Sequence, residues 1–135
     1  MEIDFDKSGG LVPAVIQDDA TGEVLMLGFM NAMSYEETRR SGEVVFFSRS
    51  RNKLWKKGES SGHVLKVRDV RVDCDADALL VRVNTIGPGV CHEGYRSCFF
   101  RSLDESGASR IVADRTFEPG EVYGAPTPGK TREGK

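Results

Sequence analysis

The sequence predicts a strand-rich α+β domain, compact and single, with one clear short helix. Three observations carry that expectation. Apolar runs of strand length recur along the chain, punctuated by Gly, Asp and Pro. Only the stretch around Ser34 carries a helix start signal. And 135 residues are enough for one core but too few for two.

Taken in order, residues 11–17 and 23–29 are apolar runs around Asp18-Asp19-Ala20-Thr21-Gly22, a hairpin signal. Ser34-Tyr35-Glu36-Glu37 reads as a capping box with Ser34 at the N-cap. The helix is expected to run to Arg40, with Gly42 as its C-cap. Residues 43–47 read as a strand, 48–57 as a polar and basic stretch, and 58–62 as a loop. Residues 64–72 and 78–83 are strand candidates flanking an acidic turn. Ile86-Gly87-Pro88-Gly89 is a loop leading into Cys91-His92. A further strand is expected to start at residues 98–100, and 111–113 is a weaker candidate. Residues 1–118 would form the domain. Residues 119–135 are rich in Pro, Gly, Lys and Thr, the composition of a disordered tail.

A formal net charge of -2 with 30% charged residues describes an ordinary surface, with no basic excess to point to nucleic acid. No apolar run is long enough for a membrane span. The N-terminus is acidic and lacks an export pattern. Three cysteines without such a signal argue against a disulfide framework and for a cytoplasmic protein with reduced thiols.

The most informative feature is Asp73-Cys74-Asp75-Ala76-Asp77, three carboxylates and a thiol in succession. Cys91-His92 and Cys98 follow downstream. Carboxylates suit a hard cation such as Mg²⁺, and thiolates a softer one such as Zn²⁺. Three cysteines and one open position are the layout of a catalytic zinc. Val70-Arg71-Val72-Asp73 alternates apolar and polar. If that extended backbone continues, Asp73, Asp75 and Asp77 share one face and Cys74 takes the other. Each piece also has an inert reading: short acidic turns are commonly just solvated, and cysteines in a reducing compartment are commonly buried hydrophobes. The combination is what points to metal.

Arg49, Arg51, Lys53, Lys56 and Lys57 crowd around Trp55. Such a segment is suited to hold phosphate groups and stack a base. A solvated basic strand or an RNA-binding patch would look the same. The net acidity of the chain favours a small anionic ligand over a long nucleic acid. The two histidines, His63 and His92, are the side chains suited to proton transfer near neutral pH. On residues alone, a hydrolytic zinc enzyme, a zinc-stabilised RNA-binding module and a deaminase-like zinc hydrolase stay open. The last lacks its usual H-x-E and P-C-x-x-C pair.

Several motifs in fixed order resemble the phosphoribosyl-AMP cyclohydrolases of histidine biosynthesis. They are Ser48-Arg49-Ser50-Arg51, Leu54-Trp55-x-Lys57-Gly58-Glu59-x-Ser61-Gly62-His63, Asp73-Cys74-Asp75-x-Asp77-Ala78-Leu79-Leu80, and Cys91-His92-x-Gly94-x-x-Ser97-Cys98-Phe99. The similarity spans roughly residues 10–103. The resemblance implies hydrolytic opening of the N1–C6 bond of phosphoribosyl-AMP. It implies an intertwined homodimer, with zinc on Cys74 of one subunit and Cys91 and Cys98 of the other, and Mg²⁺ on Asp73, Asp75 and Asp77. His92 and His63 are the expected proton-transfer groups. Arg49, Arg51, Trp55 and Lys57 are the expected substrate-binding residues. Glu93 and Tyr95 depart from the family's more usual Thr and Arg, which would shift phosphate binding to Arg96 or Arg49. Some relatives carry a fused pyrophosphohydrolase domain; nothing after Leu103 reads as one, so a monofunctional chain is expected.

Overall fold

In the computed structural model, which describes residues 2–123, period-two burial organises most of the chain. β1 (Val12–Asp18) buries every second residue. It turns into its antiparallel partner β2 (Val24–Met30), so the expected hairpin forms. The Thr21 hydroxyl donates to the Asp18 carboxylate at 2.7 Å and fixes the turn.

The helix α1 (Ala32–Ser41) starts earlier than its sequence signal predicts. Asn31, not Ser34, is the N-cap. The Asn31 side chain accepts the Ser34 N–H at 2.8 Å, and the Ser34 hydroxyl accepts the Asn31 N–H at 2.9 Å. Ser34 is thus the third helical residue (N3), the far member of the box rather than its start, and Glu37, expected to close the box, pairs with Arg40 on the exposed face instead. Gly42 ends the helix as expected, its N–H donating to the Thr38 carbonyl at 2.9 Å. The buried Thr38 hydroxyl bonds both the N–H and the carbonyl of Val45, fastening the helix to the next strand.

That strand, β3 (Val45–Ser48), pairs antiparallel with β4 (Lys53–Lys56). β4 lies inside the segment read only as polar and basic. Its alternation is hidden because a single large apolar side chain, Trp55, makes the inward contact, against Phe46 at 5.2 Å between centroids. β5 (Leu65–Val72) and β6 (Leu79–Thr85) form the second long hairpin, as expected. β6 also runs parallel to β1, giving the mixed order β2-β1-β6-β5. Ile16, Leu25, Met26, Phe46, Leu65 and Val81 sit fully buried between this sheet and the β3–β4 hairpin. Each such side chain contributes about 1.5–3 kcal/mol relative to exposure.

The strand expected at residues 98–100 starts later, as β7 (Arg101–Leu103), paired with β8 (Ser109–Ile111). The Cys98 N–H is given instead to the Leu25 carbonyl at 2.7 Å, while the Phe100 carbonyl still accepts the Val112 N–H at 2.9 Å just ahead of the hairpin. Of the weaker candidate 111–113, only Ile111 lies in β8. This last hairpin is exposed throughout, Leu103 at 71% and Ile111 at 56%, so nothing in the described chain covers its apolar side chains. A short helix, α2 (Pro119–Tyr123), ends the described residues, and the rest of the expected tail lies beyond them. No helix among the described residues is long and apolar enough to cross a membrane.

Candidate active site

β5 ends at Val72, and the chain turns instead of continuing extended. Ala76 takes a left-handed φ of 66°, the Ala76 N–H donates to the Asp73 carbonyl at 3.1 Å, and the Asp73 N–H donates to the Ala78 carbonyl at 3.0 Å. Asp73, Asp75 and Asp77 therefore meet through a turn and not through strand alternation. One carboxylate oxygen from each lies within 4.8 Å of the others. One Asp73 oxygen accepts the N–H groups of Asp77 and Ala78, at 3.0 and 3.2 Å, which orients it. A hydrogen bond shared with Asp77 holds the Asp75 carboxyl below the usual range, and the same bond holds the Asp77 carboxyl above it. This is how crowded carboxylates behave, and the oxygen-only donor set fits a hard divalent cation.

No local motif announces a cation already on this turn. Lys7, from the 3₁₀ turn at Asp6–Ser8, places its ammonium 3.4 Å from an Asp75 oxygen and 3.5 Å from an Asp77 oxygen. It also donates to the Asp75 carbonyl at 3.0 Å. The Asp4 N–H, bonded to the Ala76 carbonyl at 2.7 Å, docks the same segment.

The cysteines are arranged differently. Cys91 is buried and Cys98 half-buried, both packed with Tyr95 and Phe100. The Tyr95 and Phe100 rings stack at 3.7 Å. Cys74 is exposed on the acidic turn. Among the described residues the Asp triplet is the only convergent group of three or more such ligands, so one chain does not gather its three cysteines. The Cys-His loop is pinned to the β1–β2 hairpin. The Arg96 guanidinium donates to Asp18 at 2.6 Å and to Glu23 at 2.7 Å, and the Ser97 hydroxyl donates to the Val24 carbonyl at 2.8 Å. Arg96 is thus held in two ion pairs with the β1–β2 hairpin.

His63 lies at the entrance to β5, half-buried, its Nδ1 3.1 Å from the Gly89 carbonyl just ahead of the Cys-His loop. His92 is half-buried on the loop itself. The basic residues share one hairpin but not one surface. Arg49 and Arg51 are exposed at the β3–β4 turn, with the Arg49 guanidinium 4.0 Å from the centroid of the Phe29 ring. Trp55 and Lys57 are buried, with the Lys57 ammonium 5.8 Å from the Trp55 centroid. The Trp55 indole nitrogen is buried with no hydrogen-bond partner among the described residues.

On a strand-rich α+β domain, a carboxylate triplet on one turn and a thiol–histidine loop beside a second histidine are the kinds of group that hydrolytic enzymes use. The family model described as phosphoribosyl-AMP cyclohydrolase matches residues 26–100. A phosphoribosyl-AMP cyclohydrolase of Solibacter usitatus is 57% identical over 92% of this chain and 98% of its own length. One from Desulforapulum autotrophicum is 50% identical over 91% of the chain and 98% of its own length, and one from Methanosarcina barkeri is 52% identical over 90% and 92%. The chain belongs to the phosphoribosyl-AMP cyclohydrolase family.

Proposed function

We propose that this protein opens the adenine ring of phosphoribosyl-AMP by hydrolysis of the N1–C6 bond, a step of histidine biosynthesis, as a zinc-dependent homodimer in the cytoplasm. The observation that carries this reading is identity of 57% over nearly the whole of a relative bearing that name.

Cys74 of one subunit, with Cys91 and Cys98 of the other, would hold the zinc. The divided placement of these cysteines supports sharing across subunits, and the uncovered apolar side chains of the β7–β8 hairpin supply surface for a second copy to bury. Zinc, when bound, supplies a water acidic enough to serve as nucleophile near neutral pH, its pKa lowered from about 15.7 to about 7.

The remaining work falls to side chains. Because a carbonyl oxygen only accepts, His63 donates from Nδ1 to Gly89, which leaves Nε2 of the neutral ring as proton acceptor. His63 or His92 takes the proton of the attacking water and returns one to the departing nitrogen, a contribution of about 10²–10⁴-fold. Arg49 and Arg51 hold phosphate from the hairpin turn, with Trp55 and Lys57 behind them. Asp73, Asp75 and Asp77 would hold Mg²⁺ that offsets phosphate charge or orders the substrate.

The decisive experiment assays the purified protein on phosphoribosyl-AMP before and after chelation. Turnover that disappears with the metal and returns on adding zinc is the expected result. A folded, zinc-loaded dimer without turnover would overturn the assignment.

A further inference from the structure

We propose that Phe117 is a positioning residue that fixes the His63 imidazole, and that residues 115–117 act as a strap joining this histidine to the Cys-His loop. The proposal rests on the reading of His63 as a proton-transfer group. The strap lies outside residues 26–100, the part of the chain that the family model matches.

Three contacts define the ring. Its Nδ1 is bonded to the Gly89 carbonyl at 3.1 Å. One edge lies on Gly87, where a Cβ would come within 2.5 Å of the His63 Cδ2, so only glycine lets the ring sit this close. The Phe117 ring meets it edge to face, 5.0 Å between centroids at 88°. Phe117 adds the aromatic contact that the hydrogen bond and Gly87 do not supply.

Phe117 is in turn held by the loop that carries the other histidine. The N–H groups of Thr116 and Phe117 both donate to the Gly94 carbonyl, at 2.8 and 3.3 Å. The Arg115 guanidinium donates to the Glu93 carbonyl at 2.9 Å, and Arg115 bridges to Tyr95 as an antiparallel pair. Gly94 has a φ of 97°, and a Cβ there would lie 2.5 Å from the Phe117 carbonyl oxygen. A side chain at position 94 would push the strap off. Through these bonds, Cys91-His92-Glu93-Gly94 and His63 keep a fixed relative geometry. Phe117 is only half-buried and belongs to neither core cluster, so its replacement does not empty the core.

The test compares Phe117→Ala, Phe117→Leu and Phe117→Tyr with the unaltered protein. It measures kcat and KM for phosphoribosyl-AMP, bound zinc, and the imidazole ¹⁵N shifts of His63, assigned by their loss in His63→Asn. Phe117→Ala and Phe117→Leu should lower kcat about ten- to a hundredfold, the scale for a misplaced catalytic group. KM should stay within about twofold, as for an interaction absent from substrate binding. Zinc content should hold, and the Nδ1 and Nε2 shifts should move toward each other as the fixed tautomer is lost. Phe117→Tyr, which keeps the ring, should restore both readouts. An inactive His63→Asn beside a Phe117→Ala of normal kcat and normal shifts would overturn the strap's role. So would loss of zinc in step with kcat, or failure of Phe117→Tyr to restore. A fully active His63→Asn removes the proton-transfer reading itself. A protein that does not turn over this substrate removes the proposed function, and the ¹⁵N shifts still decide whether Phe117 fixes the ring.

Discussion

The acidic turn and the Cys-His loop solve the same problem in opposite ways. At the turn, three carboxylates lie within five positions of the sequence, and hydrogen bonds within the turn, with Lys7 beside them, bring their oxygens within 4.8 Å. At the loop, two thiols share a buried cluster with Tyr95 and Phe100 while the third, Cys74, stands exposed on another element. The first set is assembled by a turn; the second, in the proposed function, is completed by a second subunit. A site that is local in sequence can be complete in a monomer, whereas a site split between distant, unequally buried elements couples its chemistry to assembly.

The sharpest way to break this comparison is to remove one thiol. Cys91→Ser should abolish zinc binding and turnover, read by metal analysis and assay, while divalent-cation binding at the acidic turn persists. An active, zinc-free Cys91→Ser protein would refute the thiol's role. Mixing subunits sharpens it further. Cys74→Ser and Cys91→Ser proteins should each be inactive. Refolded together in equal amounts, they should regain about a quarter of normal activity, because half the dimers are mixed and each holds one intact site. No recovery would place all three ligands in one chain.

Next in size is the turn itself. Asp75→Asn should weaken Mg²⁺ binding by about tenfold or more, measured by titration calorimetry, with bound zinc unchanged. Loss of both metals together would mean that the two sites are not independent.

A smaller effect is expected where the loop is pinned. Burial works to raise the Asp18 carboxyl, but the Thr21 hydroxyl, the Arg96 guanidinium and backbone N–H groups outweigh it and hold it below its ordinary value. A folded-state pKa below the unfolded one means that this carboxylate stabilises the fold above the unfolded pKa, near 3.9, and that the contribution is lost as pH falls through the folded value. Asp18→Asn should cost about 2 kcal/mol at neutral pH and flatten the acid limb of a stability–pH curve from denaturant melts. An unchanged acid limb would mean that the ion pair contributes nothing.

The smallest is Lys7→Met. Lys7 occupies the space a divalent cation would enter, on an exposed and well-screened surface. Its removal should tighten Mg²⁺ binding by roughly two- to fivefold. Weaker binding would make Lys7 a support of the turn instead of a competitor.

How much of this was legible depended on range. The hairpin of β1 and β2, the β5–β6 pair and the Gly42 cap were written in local patterns, and they formed. The N-cap was misread because Asn31 and Ser34 are both good cap residues, and only the reciprocal bonds between them decide which one starts the helix. β4 was missed because one tryptophan carries its inward face. The Asp residues were found by composition, but their meeting through a left-handed Ala76 was not foreseeable from alternation. Lys7 and Phe117 reach the site from distant parts of the chain, and no local motif announces them. The pairing of Arg96 with Asp18 and Glu23 is equally long-range.

The bonds from Ser97 and Cys98 to Val24 and Leu25 have one more consequence. β2 is an outer strand of the sheet, and it carries partly exposed Val24 and Leu27. A bare apolar strand at a sheet margin is a template for adding strands from other molecules. By bonding the Val24 and Leu25 carbonyls, the Cys-His segment also covers one end of that margin. Damage that lifts the segment, by proteolysis or oxidation of its thiols, would leave the protein both inactive and sticky, so that aggregates rather than soluble inactive enzyme should accumulate.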